Sequence, residues 1–366
     1  MTRHFSLYLD LLRLTAALAV LFSHANMRSL IATNILPQSF GHNAVIVFFL
    51  LSGYVIAFVA DTKENTAREY WVSRFARIYS VALPAILITP LFDWAGSQID
   101  PSFYAGSITT HDYWWIRIAA SLTFTNELWL VSIMPFSNSA YWSLCYEMAY
   151  YLLFSIWCFA PARLRWLWLS LACLLIGPKI LLLAPIWLFG VVLYRNQRGY
   201  AITEPTGWLL WIGSLVGIVL YQWMDVVKHL STLTEQVLGT WLYTQLHFSK
   251  HFVGDYLLAL IIGANFLGFR RIASRFAALF TAIGPAIRKA STYTFSIYLF
   301  HLPILFFFNV AIEGDRQQLS YYLTVVSATL VTTVMLGTIT EQQKDRLKRW
   351  LAGRAHALGT ISPMFK

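Results

Sequence analysis

The sequence predicts an all-α, polytopic transmembrane helical bundle of about ten spans with both termini cytoplasmic, and three observations predict it. The chain is 58% hydrophobic and only 12% charged, whereas a soluble domain is about 25% charged. Ten apolar runs approach the ~20 residues that cross about 30 Å of hydrocarbon. Lysine and arginine gather on alternate loops, as the positive-inside rule requires. Phe, Trp and Tyr make up 16% of the chain, enough to furnish aromatic belts at two interfaces.

The runs fall at 6–27, 43–60, 78–92, 141–160, 164–177, 180–194, 207–224, 252–269, 292–312 and 319–341. Those at 78–92, 164–177 and 180–194 are short for a span. A further stretch, 114–134, is apolar but interrupted by Arg117, Asn126 and Glu127. Loop charge decides whether it crosses. With the N-terminus inside and 93–140 not crossing, the inner loops carry Arg3, Lys63, Arg68, Arg74, Arg77, Arg163, Arg165, Arg195 and Arg198. They also carry Arg270, Arg271, Arg275, Arg288, Lys289 and the basic residues from Lys344 onward. The outer loops then hold only Arg28, Arg117, Lys179, Lys228, Lys250 and Arg316. A crossing at 114–134 would invert every later loop and destroy that bias. Residues 93–140 are therefore read as a long outer segment that is free to dip back, which requires burial in protein or a cavity wall. Two regions follow: a transmembrane domain at 1–343 and a basic cytoplasmic tail at 344–366, whose KDRLKRW stretch lies along the anionic inner leaflet.

Topology also accounts for the formal charge of +10, so nucleic acid is not called for as a partner. Asp10 and Arg13 interrupt the first apolar run, which excludes a cleavable signal core. Cys145, Cys158 and Cys173 lie in or beside apolar runs and read as small buried hydrophobes rather than a disulfide framework.

Four polar clusters stand inside this apolar chain. In YLDLLRLTAALAVLFSHA (Tyr8 to Ala25), Arg13 and His24 are eleven residues apart, three helical turns plus about 20°, so they share a face about 16 Å apart along the axis. Asp10 lies one turn before Arg13 and can pair with it. Ionisable groups at such depth face a bundle interior or a wet cavity and mark function by default. A structural Asp10–Arg13 pair with an interfacial His24 is the plainer alternative. In WVSRFARIYS (Trp71 to Ser80), Arg74 and Arg77 sit one turn apart on the inner side. They are spaced as a fork for a polyphosphate, or else as a topology anchor. In NSAYWSLCYEMAYYLLF (Asn138 to Phe154), Glu147 falls early in an apolar helix, with Trp142 and Tyr146 sharing a side. A carboxyl there is costly unless paired or protonated, and a Glu147 that merely ties helices together is the plainer alternative. In STYTFSIYLFHLPILFF (Ser291 to Phe307), His301 lies mid-helix, followed by Pro303. Ser52 and Gly53 of FFLLSGYVIAF permit close helix approach. His247 and His251 share helical spacing without carboxylate partners, so no metal site is assigned.

Taken in order, LDLLRLTAALAVLFSH, FFLLSGYVI, RFARIY, WSLCYEMAYYLL and YLFHLPI resemble the acyltransferase-3 family of integral membrane O-acyltransferases, from about Leu7 to Ile339. The chain departs from the common pattern at Ile46 and Ser80. The resemblance implies an acyl-CoA donor, by default acetyl-CoA, and as acceptor a hydroxyl on a carbohydrate, glycolipid or similar extracytoplasmic molecule. It also implies functional roles for Arg13 and His24, for Arg74 and Arg77, and for Glu147.

The expected mechanism places the donor phosphates on Arg74 and Arg77, runs the pantetheine arm past Arg13, and brings the thioester to His24. His24 then acts as general base or takes the acyl group covalently. Glu147 would orient His24 or the sugar, Trp142 would stack on the sugar, and His301 is counted on the acceptor side. No metal is expected, and a bacterial inner membrane is the expected location. The competing class is a proton-coupled transporter, because intramembrane Asp, Arg, Glu and His also build proton paths.

Overall fold

Each of the ten apolar runs folds as a helix, and no strand occurs among the described residues. The computed structural model describes residues 1–27, 30, 39–105, 112–197 and 201–359. Arg28 and Arg198 of the loop charges, and residues 360–366 of the basic tail, lie outside the described residues.

The principal helices are α1 (Arg3–Ala25), α2 (Ser39–Lys63), α3 (Ala67–Ile99), α4 (Trp114–Leu122), α5 (Trp142–Phe159), α6 (Ala162–Ile176) and α7 (Pro178–Arg195). They continue as α8 (Glu204–Trp223), α9 (Val226–Leu238), α10 (Phe252–Ile272), α11 (Ala277–Ser291), α12 (Thr294–Ala311), α13 (Leu319–Ile339) and α14 (Lys344–Gly359). Eight helical stretches among the described residues are long and apolar enough to cross a membrane. The apolar runs outside that set are α5 and α6, of 18 and 15 residues.

Local chemistry sets the helix starts. The Thr2 hydroxyl accepts from the Phe5 N–H and caps α1. Thr66 accepts from the Glu69 N–H, and Glu69 reaches back to the Asn65 N–H, a reciprocal exchange that opens α3. Glycine sets the closest helix pair. A Cβ at Gly53 would stand 1.9 Å from the Trp187 carbonyl oxygen, and one at Gly190 would stand 2.0 Å from that of Leu50. The backbones of α2 and α7 thus meet where neither helix carries a side chain, the contact that small residues permit in lipid.

Residues 123–141 fold inward. Asp93 near the end of α3 accepts from the Ser137 hydroxyl at 2.5 Å and from its N–H at 3.1 Å. Asn138 donates to the Leu299 carbonyl, within α12. Glu127 and Lys179 form an ion pair with both side chains fully buried, and Lys179 also donates to the Val131 carbonyl. Lys179 is therefore not an exposed loop cation: it is the counter-charge that lets irregular backbone settle inside the bundle. Phe124, Trp129 and Phe136 take positive φ in this stretch, a conformation non-glycine residues adopt only where packing holds them.

The C-terminal helix α14 packs on the first turns of α3 as well as carrying basic charge. Arg68 donates to the Ala352 carbonyl at 2.9 Å, and Lys348 reaches the Ser73 hydroxyl at 3.4 Å.

Candidate active site

Helices α1, α2, α3, α5 and α12 surround a groove made of two cavities. The first opens at the basic end of the bundle, between Arg13, Arg77, Arg288, Lys344 and Lys348, with Asp10 and Glu341 in its wall. The second lies deeper and is lined by Ser52, Ser143, Glu147 and Tyr298 among apolar side chains. Arg13, Arg77 and Thr294 line both, so two guanidiniums form the neck between them.

Arg13 pairs loosely with Asp10 at 3.7 Å, and Asp10 also meets Arg288 at 3.6 Å. The carboxylates of Glu147 and Glu341 offset the neck's positive charge from its two sides. Glu341 is fixed by the N–H and hydroxyl of Ser296. Glu147 accepts from the Ser52 hydroxyl at 2.8 Å and from the Tyr151 hydroxyl. Glu147 thus stands opposite the middle of α2, deeper than its place early in α5 suggests. The inward fold of 123–141 starts α5 below the surface: Asn138, Ala140 and Tyr141 are already buried.

His24 and His301 meet beyond the chamber. Their Nδ1 and Nε2 atoms are 2.7 Å apart, and the rings lie within 15° of one plane, the geometry of an in-line hydrogen bond. The partners fix the tautomers. His301 Nδ1 faces the carbonyls of Tyr298 at 2.7 Å and Ile297 at 3.0 Å, so it must carry the hydrogen. Its Nε2 then holds a lone pair, His24 Nδ1 donates to it, and His24 Nε2 is left unprotonated. Pro303, one turn further on, has no N–H for the Leu299 carbonyl four residues back, and Asn138 donates to that carbonyl instead at 2.8 Å. An imidazole held in one tautomer with a bare nitrogen is equipped to take a proton from a hydroxyl.

Three expected roles are placed differently. Arg74 lines neither cavity: it is 3% exposed, paired with the buried Glu64, and laid over the Tyr70 ring at 3.9 Å. The Arg74–Arg77 fork therefore does not form, because 300° of helical rotation sends Arg74 to Glu64 and Arg77 to the groove. Glu147 holds the neck, and the group that orients His24 is His301. Trp142 is buried and stacks on Phe248 at 4.6 Å and 2°, with His42 parallel on it at 6.2 Å. No open ring face is left for a sugar.

A second histidine pair was not foreseen. His42 Nε2 lies 2.9 and 3.0 Å from the two oxygens of Asp255, whose side chain has no exposure. His251 sits edge-on to His42 at 5.4 Å and bonds the Ser231 hydroxyl at 2.6 Å. Burial, then the charges of His42 and Lys250, push His251 down to about 3, so it is neutral near pH 7. The signal in the sequence was two polar residues, His42 and Asp255, each near the start of an apolar run.

Comparison with known proteins gives one family and two curated relatives. The family model Acyl_transf_3, described as an acyltransferase domain, matches residues 6–338. The chain is 34% identical over 154 residues to "Acyltransferase MdmB" of Streptomyces mycarofaciens, covering 40% of this chain and 37% of that protein. It is 23% identical over 354 residues to "Peptidoglycan O-acetyltransferase OatA" of Listeria monocytogenes serovar 1/2a, covering 88% of this chain and 53% of that protein. The chain thus spans about half or less of the length of these relatives. No solved structure matches it.

Proposed function

Because the chain belongs to the Acyl_transf_3 family of acyltransferase domains, we propose that it moves an acetyl group from acetyl-CoA to a hydroxyl of a carbohydrate or similar extracytoplasmic acceptor. It is an integral membrane protein by its apolar helices and its family, and a bacterial plasma membrane is the location that fits this reading.

The observation that carries the proposal is the continuity of the groove. Its basic mouth offers Arg288, Lys344 and Lys348 to a polyphosphate. The neck of Arg13 and Arg77 leads from there to the chamber of Glu147 and Tyr298. Tyr298 lies one turn before His301 on α12, so the chamber ends toward the His24–His301 pair. Donor phosphates at the mouth and an acyl thioester toward His24 match the extended shape of acyl-CoA. The acceptor hydroxyl gives its proton to His24 Nε2 as its oxygen attacks the thioester carbon. His301 keeps that nitrogen bare and supports the positive charge His24 gains. The basic mouth faces the cytoplasm under the positive-inside rule, which puts His24 toward the opposite leaflet.

Arg74 takes no part in donor binding here. Its place among the phosphate groups is taken by Arg77 with the cations of α11 and α14. A bare His24 Nε2 favours direct general-base transfer as the working route.

The test is thiol release from acetyl-CoA by the purified full chain in lipid nanodiscs. Wild type should release coenzyme A, and His24→Ala should abolish that release while keeping its gel-filtration profile. Release undiminished in His24→Ala removes His24 from the chemistry. Flux of a polar solute without any thiol release would return the chain to the transporter class.

A further inference from the structure

The row of α2 residues lining the chamber, Ser52, Phe49 and Val45, continues for one more turn to His42, three residues before Val45. His42 is 18% exposed, and its Nδ1 has no partner among the described residues, while its Nε2 is held by the buried Asp255.

The contact between α1 and α2 places His42 relative to His24. Gly41 abuts Ser23: a Cβ there would stand 3.0 Å from the Ser23 hydroxyl oxygen. His24 is the next residue outward on α1, and His42 is the next residue inward on α2, which runs the opposite way. In antiparallel right-handed helices these two steps of about 100° turn both side chains to the same side of the pair. The two imidazoles therefore share a depth to within about 3 Å. From there His24 reaches His301 on α12 and His42 meets Trp142 on α5. Those two helices are tied to each other by the Ser143–Tyr298 hydrogen bond of 2.8 Å.

The two histidines end in opposite chemistry. The His24 chain runs through His301 to neutral carbonyls and leaves a bare nitrogen, which is a base. The His42 chain runs to a carboxylate, which balances an imidazolium with a second proton on Nδ1, which is an acid. Titratable groups in contrasting surroundings divide acid and base roles in this way.

We propose that His42, held by Asp255, is a second catalytic histidine and delivers the proton to the departing thiolate of the acyl donor. The inference rests on the acyl-CoA reading above. As the acceptor oxygen bonds to the acyl carbon, its proton passes to His24 Nε2. The carbon–sulfur bond breaks, and the sulfur takes the electron pair and the proton from His42 Nδ1. His24 then holds one proton more and His42 one fewer, and water restores both, so the products are ester and free thiol. A purely architectural His42–Asp255 pair would tie α2 to α10 and make no such distinction among donors.

The experiment compares two donors with water as acceptor: acetyl-CoA, and the S-acetyl ester of 5-thio-2-nitrobenzoic acid, whose thiolate departs without protonation. Wild type, His42→Gln, Asp255→Asn and His24→Gln are assayed as full chains in nanodiscs. His42→Gln should lose about 100-fold on acetyl-CoA, the scale of general acid catalysis, and stay within about threefold of wild type on the aryl thioester. Asp255→Asn, which keeps volume and a hydrogen bond, should show the same donor-selective loss. His24→Gln should lose on both donors. Equal loss on both donors in His42→Gln and Asp255→Asn, or loss on neither, overturns the inference while leaving His24 as base. No thiol release by wild type from either donor overturns the acyl-transfer reading on which it stands.

Discussion

His301 accepts a hydrogen bond from His24 at 2.7 Å through one nitrogen and spends the other on the Tyr298 carbonyl, also at 2.7 Å. The pair gives α12 control over which nitrogen of His24 is available on α1. His301→Ala should therefore cut acyl transfer about 100-fold with the donor KM little changed. Steady-state kinetics on acetyl-CoA check this. A rise in KM alone would assign His301 to binding instead.

Arg74 and Arg77 should separate cleanly. Arg77→Gln should weaken coenzyme A binding about tenfold, the loss of roughly one charge-assisted contact, as read by titration calorimetry. Arg74→Gln should leave that affinity unchanged. It should instead lower stability by about 3–5 kcal/mol, because Glu64 would be left buried without its partner. Equal effects on affinity would restore the fork.

The Glu127–Lys179 pair should be sensitive to breaking and tolerant of replacement. Glu127→Gln or Lys179→Met alone should each cost about 3–5 kcal/mol, since a buried charge is stranded. The double change Glu127→Leu with Lys179→Met should recover most of that loss. Thermal unfolding in nanodiscs, followed by tryptophan fluorescence, reads all three.

The glycines divide by what surrounds them. Gly53→Val and Gly190→Val should fail to fold or unfold far earlier, as an added Cβ would meet opposing backbone within 2.0 Å. Gly213→Ala has nothing within 4 Å and should be neutral or stabilising by up to about 1 kcal/mol, the helix preference of Ala over Gly. Melting temperatures decide the matter.

What was legible in the sequence was whatever repeats along one helix. Apolar length located the ten runs, and the eleven-residue spacing put Arg13 and His24 on one face of α1. The Ser52–Gly53 pair signalled the close packing that α2 makes with α7. Pairings between distant segments left no such mark. His24 and His301 are 277 residues apart, and His42 and Asp255 are 213 apart. Nothing in local periodicity joins them. Arg74 and Arg77 show the opposite failure. One-turn spacing suggested joint action, but at a 60° divergence on a crowded helix one guanidinium met a carboxylate and the other met the groove. Trp142 was similarly misplaced, because its spacing gave a side of α5 but not the Phe248 ring that covers it.

The clasp between Glu127 and Lys179 has a consequence for how the chain is made. Ribosomal synthesis delivers the acid well before the base, and in between the nascent polypeptide must insert two further hydrophobic hairpin arms. Until the lysine emerges, the inward-folded stretch has no counter-ion and is best accommodated at the aqueous edge of the translocon. Completion of the groove would then wait on the arrival of a helix that lines neither of its two cavities.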